Sequence, residues 1–470
     1  MYTSSIVGAM PASSKRSLFN FQCLSVFIVY IKTFCHSEYI YRNEAVLGTS
    51  EEKQMRGEKR PAYGPGFLVT AAFIGPGTVT SCSLAGARFG YSLIFTLVFA
   101  VLTTLFLQRM TGRLSLGSGH DLAQALREFP RSPLARVTFL VLTLSSITFG
   151  CAAYEAGNII GGSLGLEAIT SIPRNYWVFV ISIIAIGILG SGKYKLVERF
   201  LIFLVFLMSG SFLTTAAIIK PDLIAIFRGM IPLRIIPPGN MPPGIIPSFQ
   251  LDSLYLILAL VGTTVVPYNL FLHSAAVKKK WHNTLHLRDM KRDLLVSVAI
   301  GGVISISIVV TSAVAFHTKG IIPEDGAQMA QQLKPLFGPV TNFLFGLGLF
   351  AAGLSSALTA PYAAAFASCG ILGCSAGQNS KGFKAVWLGI IIVGLIVASL
   401  NLRPLAVIIF AQAANGLILP VTSIFLLIVL NNREKMGILA NNNAQNILGT
   451  ILILIVSGLG FWNIMKLFLR

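Results

Sequence analysis

The sequence predicts an all-α membrane protein of about eleven transmembrane helices, built as two five-helix repeats of opposite orientation. Three observations carry that prediction. The first is composition: of 470 residues, 54% are hydrophobic and 11% charged, with mean hydropathy +0.76, whereas a soluble domain carries roughly 25% charged residues. The second is a succession of apolar runs close to the roughly 20 residues that cross a bilayer. The third is a pair of prolines in the middle of two of those runs. Each sits inside a short polar motif, Gly75-Pro76-Gly77-Thr78 and Val266-Pro267-Tyr268-Asn269. Proline within a helix removes a backbone hydrogen bond and clashes with the preceding turn. In a bilayer such a break survives where protein or a watery cavity serves the freed groups. Interrupted segments at matching positions of two halves point to a binding site between them. Neither motif contains a carboxylate.

The apolar windows fall at 66–87, 91–109, 137–165, 175–191, 198–219, 251–277, 294–316, 338–373, 384–401, 404–430 and 446–466. The third and eighth are too long for one straight span and are expected to contain interfacial turns. Residues 1–62 stand apart. Their apolar run 19–34 is interrupted by Gln22, Ser25 and Lys32, and 50–61 is polar and charged. No small-residue cleavage site is clear, so this segment reads as a mobile tail, or as sequence upstream of a start at Met55. The expected division is a first repeat at 63–220, a Pro-rich extracellular connection at 221–250, a second repeat at 251–431, and the eleventh span with the C-terminus at 432–470. The broken helix comes first in each repeat, as in many transporters built from inverted repeats.

The formal charge is +19, from 36 Lys and Arg against 17 Asp and Glu. The basic residues do not gather in one patch, which excludes a nucleic-acid surface. They fall in short connections, the pattern that sets membrane topology. Arg109, Arg113, Arg127, Arg131 and Arg136 are assigned to the second connection. Lys193, Lys195 and Arg199 follow the fourth span, and Lys278, Lys279, Lys280, Arg288, Lys291 and Arg292 the sixth. Lys381, Lys384, Arg433 and Lys435 complete that side. The opposite side is poorer, with Lys220, Arg228 and Arg234 in its long loop. The bias puts the N-terminus in the cytoplasm and, with eleven spans, the C-terminus outside. A plasma membrane suits it, and a bacterial inner membrane is compatible. The six cysteines form no CxxC pair and read as small buried apolar residues. No cofactor, metal centre, nucleophile–base set or phosphate loop is indicated.

Over about residues 62–466 the chain resembles the NRAMP family of proton-coupled divalent-metal transporters. Beyond the two breaks, the resemblance rests on 84–91 (LAGARFGY), 107–113 (LQRMTGR) with Asp121-Leu122-Ala123, and Leu272-His273-Ser274. It extends to Leu336-Phe337-Gly338, 352–356 (AGLSS) and 432–437 (NREKMG). The resemblance implies a LeuT-type inverted repeat. It also marks departures at the family's metal site. Metal-carrying members have Asp-Pro-Gly-Asn in the first break, where this chain has Gly75 and Thr78 in place of Asp and Asn. In the second break the family has Met-Pro-His-Asn, and here Val266 replaces Met and Tyr268 replaces His. Thr263 stands where a family Ala offers its carbonyl. Glu155 takes the position of a family Asp in the proton route, Asn158 replaces a neighbouring Glu, and Leu354 replaces a Gln.

The residues left at the breaks are Thr78, Thr263, Thr264, Tyr268, Asn269 and free backbone. A divalent cation calls for carboxylates, carbonyls, imidazoles or thioethers. An idealised estimate for burying one uncompensated ion is on the order of 20 kcal/mol. Two restarted helices, by contrast, each present about +0.5 charge at their N-termini. The expected substrate is therefore a small inorganic ion, best an oxygen-rich anion, with bicarbonate the leading candidate. That name rests on the resemblance to a Gly-Pro-Gly-Thr branch of NRAMP-related proteins. The expected substrate-binding residues are Gly75, Pro76, Gly77, Thr78, Thr263, Val266, Pro267, Tyr268 and Asn269. Anion uptake against a membrane potential needs coupling to protons or sodium, at about 2.3 kcal/mol per charge per 100 mV. Glu155, Asn158, His273 and Gln412 are the candidates for coupling or the pathway. Against each stands a plainer reading: a hydrogen-bonded structural acid for Glu155, a satisfied core histidine for His273, a packing amide for Gln412, and helix capping for the hydroxyls after Thr78. The alternative substrate is a divalent metal ion at a relaxed site. A non-transporting sensor would call for a sizeable soluble output domain, which this sequence does not show.

Overall fold

The structure is a computed structural model that describes residues 64–468, apart from 67–68, 71–73, 130–131, 193, 232–245, 282, 374–379 and 401. The tail, residues 232–245 of the Pro-rich connection, Arg131, Lys193, Arg234, Cys23, Cys35 and Cys374 lie outside the described residues.

Among the described residues, ten helices are long and apolar enough to cross a membrane. The remaining span is the first broken one. Its second half is α1 (Pro76–Phe89), 14 residues long, and its first half is described in part as helix at Pro65, Gly66, Val69 and Thr70. The first repeat continues with α2 (Ile94–Ser118), α3 (Pro133–Thr170), α4 (Arg174–Ser191) and α5 (Tyr194–Ile218). The second opens with the halves α6 (Ile246–Thr264) and α7 (Pro267–Lys280). It continues with α8 (Leu287–Ala315), α9 (Thr341–Leu372), α10 (Lys381–Ser399) and α11 (Pro404–Leu430), and α12 (Asn443–Phe468) follows.

Two long windows resolve differently from expectation. α3 is one continuous helix of 38 residues with no internal turn. Its one proline, Pro133, occupies the first turn, where the missing N–H is an orphan anyway. In the eighth window the short turns lie before the helix, between residues 326 and 340. α9 then runs for 32 residues straight through Pro361, as neighbouring helices allow in a membrane.

α3 and α9 cross closely because both are paved with glycine. A Cβ at Gly353 would sit 2.8 Å from the Asn158 carbonyl oxygen, and one at Gly165 would sit 2.6 Å from the Phe350 amide nitrogen. Small residues at a crossing let helix backbones approach and gain packing contacts where lipid supplies no hydrophobic drive. The broken span Ser253–Lys280 is at the centre: 89% of its most apolar 18-residue stretch is buried, against 22% in α4. Tyr176, Phe179 and Ile183 on α4 and Phe200, Phe203 and Phe206 on α5 are exposed, as residues facing lipid must be.

The assignment of Arg109 and Arg113 to a loop is corrected: both are buried within α2. Arg113 donates from Nη1 to Gln445 Oε1 at 2.8 Å, and from Nη2 to the Leu439 carbonyl at 2.7 Å and Asn441 Oδ1 at 2.8 Å. The segment ahead of α12 and the first turn of α12 thus supply the polar partners that make burial of this charge tolerable. At the other end of the chain, Asp293 on α8 accepts from the amides of Gly64 at 2.7 Å and Gly66 at 2.6 Å. That carboxylate fastens the start of the first broken span to the second repeat.

Candidate functional site

Each break is a helix restart without a cap. α1 has Gly75 at its N-cap in extended backbone, φ −120° and ψ −174°, with Pro76 in the first turn. α7 has Val266 at φ −85° and ψ 125°, with Pro267 in the first turn. Neither N-cap side chain accepts a capping hydrogen bond, and neither first turn holds an acidic residue. Each restart opens on a proline, which has no N–H, and the Asn269 amide donates to the Val266 carbonyl at 3.0 Å; the amides of Gly77 and Tyr268 come too early in their helices for an intrahelical acceptor, and the N-terminal ends of both dipoles face the break.

The structure brings most of the expected residues together. Thr78 Oγ1 and Thr263 Oγ1 lie 2.8 Å apart and join the two repeats; the hydroxyl of Thr78 reaches across rather than only serving its own helix. Gly77 leaves room for the Gln412 amide of α11, because a Cβ there would lie 2.8 Å from Gln412 Oε1. Pro76 packs on Gly161 of α3, where a Cβ would lie 2.6 Å from the proline Cγ. Tyr268 and Asn269 are buried; the Tyr268 hydroxyl approaches that of Tyr154 and has no other hydrogen-bond partner among the described residues, and neither polar atom of the Asn269 side chain has one. Gln412 Oε1 likewise lacks one.

The remaining candidates lie around this centre. Glu155 is fully buried on α3, its Oε2 accepts from Asn158 Nδ2 at 3.4 Å, and its Oε1 has no partner among the described residues. Gly394 of α10 makes the space for it, since a Cβ there would be 2.6 Å from Glu155 Cγ. His273 Nδ1 and Thr111 Oγ1 share a hydrogen bond at 3.0 Å, while Nε2 is buried with no partner among the described residues. The plainer reading of a satisfied histidine therefore holds for one ring nitrogen. The thiols of Cys82 and Cys151 and the Cys369 side chain are buried.

Sequence reasoning missed two residues at the first break. Tyr154 of α3 and Ser356 of α9 both approach Gly75. Ser356 was read only as part of a fold motif, and Tyr154 was hidden beside the more conspicuous Glu155. Their convergence depends on the α3–α9 crossing, which leaves no local pattern. No group of three or more His, Cys, Asp or Glu side chains comes together among the described residues.

This arrangement, an enclosed polar centre between two broken helices of an all-helical membrane protein, defines a secondary-transporter architecture. The sequence matches the Nramp family, natural resistance-associated macrophage protein-like, over residues 66–466, and the chain belongs to that family. It is 27% identical over 419 residues to the divalent metal cation transporter MntH of Deinococcus radiodurans, covering 86% of this chain and 90% of the relative. A crystal structure of an Eremococcus coleocola manganese transporter superposes with a TM-score of 0.69 at 20% identity, over 89% of this chain and 88% of that one. The inward-facing structure of Mhp1 matches with a TM-score of 0.54 at 13% identity, over 86% and 91% of the two chains. The expected LeuT-type fold and membrane location stand on these likenesses.

Proposed function

We propose that this transporter moves a small oxygen-rich inorganic anion, bicarbonate being the first candidate, through the paired breaks by alternating access. The observation that carries the reading is the pair of uncapped helix N-termini at Gly75 and Val266, with no acid in either first turn. A cation would meet two partial positive charges there, with no acid in either first turn to offset them. An anion meets backbone amides, the hydroxyls of Thr78, Thr263 and Tyr268, and the amides of Asn269 and Gln412. Gly75, Pro76, Gly77, Val266 and Pro267 shape the backbone of this site. Glu155 is the proposed coupling group, with Asn158 and His273 beside the route, and the driving ion is a proton or sodium. The proposed setting is a plasma membrane with the N-terminus inside.

A second reading has a specific observation in its favour: the relatives that match across most of the chain are named divalent metal cation transporters. Under that reading a divalent ion keeps part of its water and takes carbonyls and hydroxyls at the breaks. Proteoliposome uptake separates the two. Saturable entry of labelled bicarbonate, with no entry of Mn²⁺ or Mg²⁺ and a loss in Gly75→Asp, is the expected result. Saturable entry of either metal without bicarbonate overturns the anion reading in favour of the metal.

A further inference from the structure

Gly75 is not demanded by its backbone. An extended residue at φ −120° accommodates any side chain. What excludes a side chain is space already taken. A Cβ built on Gly75 would lie 2.8 Å from Ser356 Oγ and 3.8 Å from the Tyr154 hydroxyl. Both residues are buried. The Tyr154 and Tyr268 rings meet edge to face with centroids 5.9 Å apart, so the second break's tyrosine belongs to the same cluster. The two phenol hydroxyls approach one another, and neither has another hydrogen-bond partner among the described residues. A phenol pair can use at most one of its two protons within itself, so one buried hydroxyl of the cluster keeps a proton to donate, and leaving it unmet costs about 1–3 kcal/mol.

We propose that Ser356 and Tyr154 are substrate-binding residues whose hydroxyls occupy the position of a side chain at residue 75 and donate to a small oxyanion at the first break. The site is then a hydroxyl site built from three helices, α1, α3 and α9, rather than a carboxylate site with its acid deleted. Serine and tyrosine hydroxyls can each donate one hydrogen bond. Such donors suit the oxygen of an anion such as bicarbonate and give a bare transition-metal ion no charge. Gly75 thereby becomes a consequence: its missing Cβ leaves the volume that the Ser356 hydroxyl fills. This inference rests on the transport reading above and names ligands that the sequence did not.

The test is initial-rate uptake into proteoliposomes by wild type, Ser356→Ala, Tyr154→Phe and the double variant, with labelled bicarbonate and, in parallel, Mn²⁺ and Mg²⁺. Thermal melting of the detergent-solubilised proteins with and without each ion is the second readout. The expected result is a bicarbonate KM raised about tenfold in each single variant with the maximal rate retained, and a matching loss of bicarbonate-induced stabilisation. KM values and ligand-induced shifts equal to wild type in both single variants overturn the assignment while leaving the anion reading intact. A wild type that carries only a metal overturns the anion reading and the oxyanion role together. If that metal's KM still rises in the variants, the two hydroxyls remain ligands, of a cation. A wild type that neither carries nor is stabilised by any of these ions overturns both proposals. A variant whose unliganded melting temperature falls is judged by the ligand-induced shift rather than by rate.

Discussion

Thr78 and Thr263 meet hydroxyl to hydroxyl at 2.8 Å, one on each side of the boundary between the two repeats. Both side chains are fully buried. This hydrogen bond is the direct polar link between the first break and the helix that leads into the second. A transporter that alternates its access must either move these two residues together or part them, and in the parted state each needs another partner.

Replacing either threonine by valine keeps the shape and takes this hydrogen bond from the other hydroxyl. Each single change is expected to lower stability by about 1–3 kcal/mol. The double variant, with both hydroxyls gone, is expected to lose less than the sum of the singles. A double-mutant cycle of thermal unfolding in detergent reads this coupling; strictly additive losses would show that the two hydroxyls do not act on one another.

Asp293 holds the amides of Gly64 and Gly66. Removing the carboxylate in Asp293→Ala is expected to free the start of the first broken span from α8. Amide hydrogen exchange should rise at least tenfold at residues 64–70 and stay unchanged in α12. Asp293→Asn, which keeps an acceptor, should fall between. Unchanged exchange at 64–70 in Asp293→Ala would mean that other contacts hold this segment.

Arg113 gives two hydrogen bonds to the segment that leads into α12 and one to Gln445 in its first turn. Bonds to a charged donor are worth about 1.5–3 kcal/mol each. Arg113→Met is therefore expected to lower the melting temperature and to expose the segment around Leu439–Gln445 to proteolysis before the rest of the protein. Melting and cleavage patterns like those of wild type would assign the docking of α12 to its apolar face alone.

Glu155 is the buried carboxylate of α3, with one oxygen near Asn158 and the other without a partner among the described residues. Glu155→Gln keeps the size and removes the ionisable group. Under the proposed coupling role, gradient-driven uptake falls at least tenfold, while exchange of substrate across liposomes with equal ion concentrations persists. Full gradient-driven uptake in this variant returns Glu155 to a structural role.

The sequence by itself determined that the protein is a membrane-embedded helical bundle, where its spans lie and where two of them break. These features are written in one dimension: an apolar run of bilayer length is local, and a proline breaks the helix that contains it. It also carried the likeness to the family, because that rests on identities at fixed places in motifs. It misjudged Arg109 and Arg113, since a charge beside an apolar run reads as loop until its surroundings are known, and the acceptors of Arg113 come from more than 320 residues away. Which residues fill the space beside Gly75, and that Thr78 faces Thr263, only the tertiary structure decided. Those relations follow from the α3–α9 crossing and from the closure of one repeat on the other. They join residues distant in the chain, and the hydrogen bonds and excluded volume that make them acts of recognition exist only once the helices have packed.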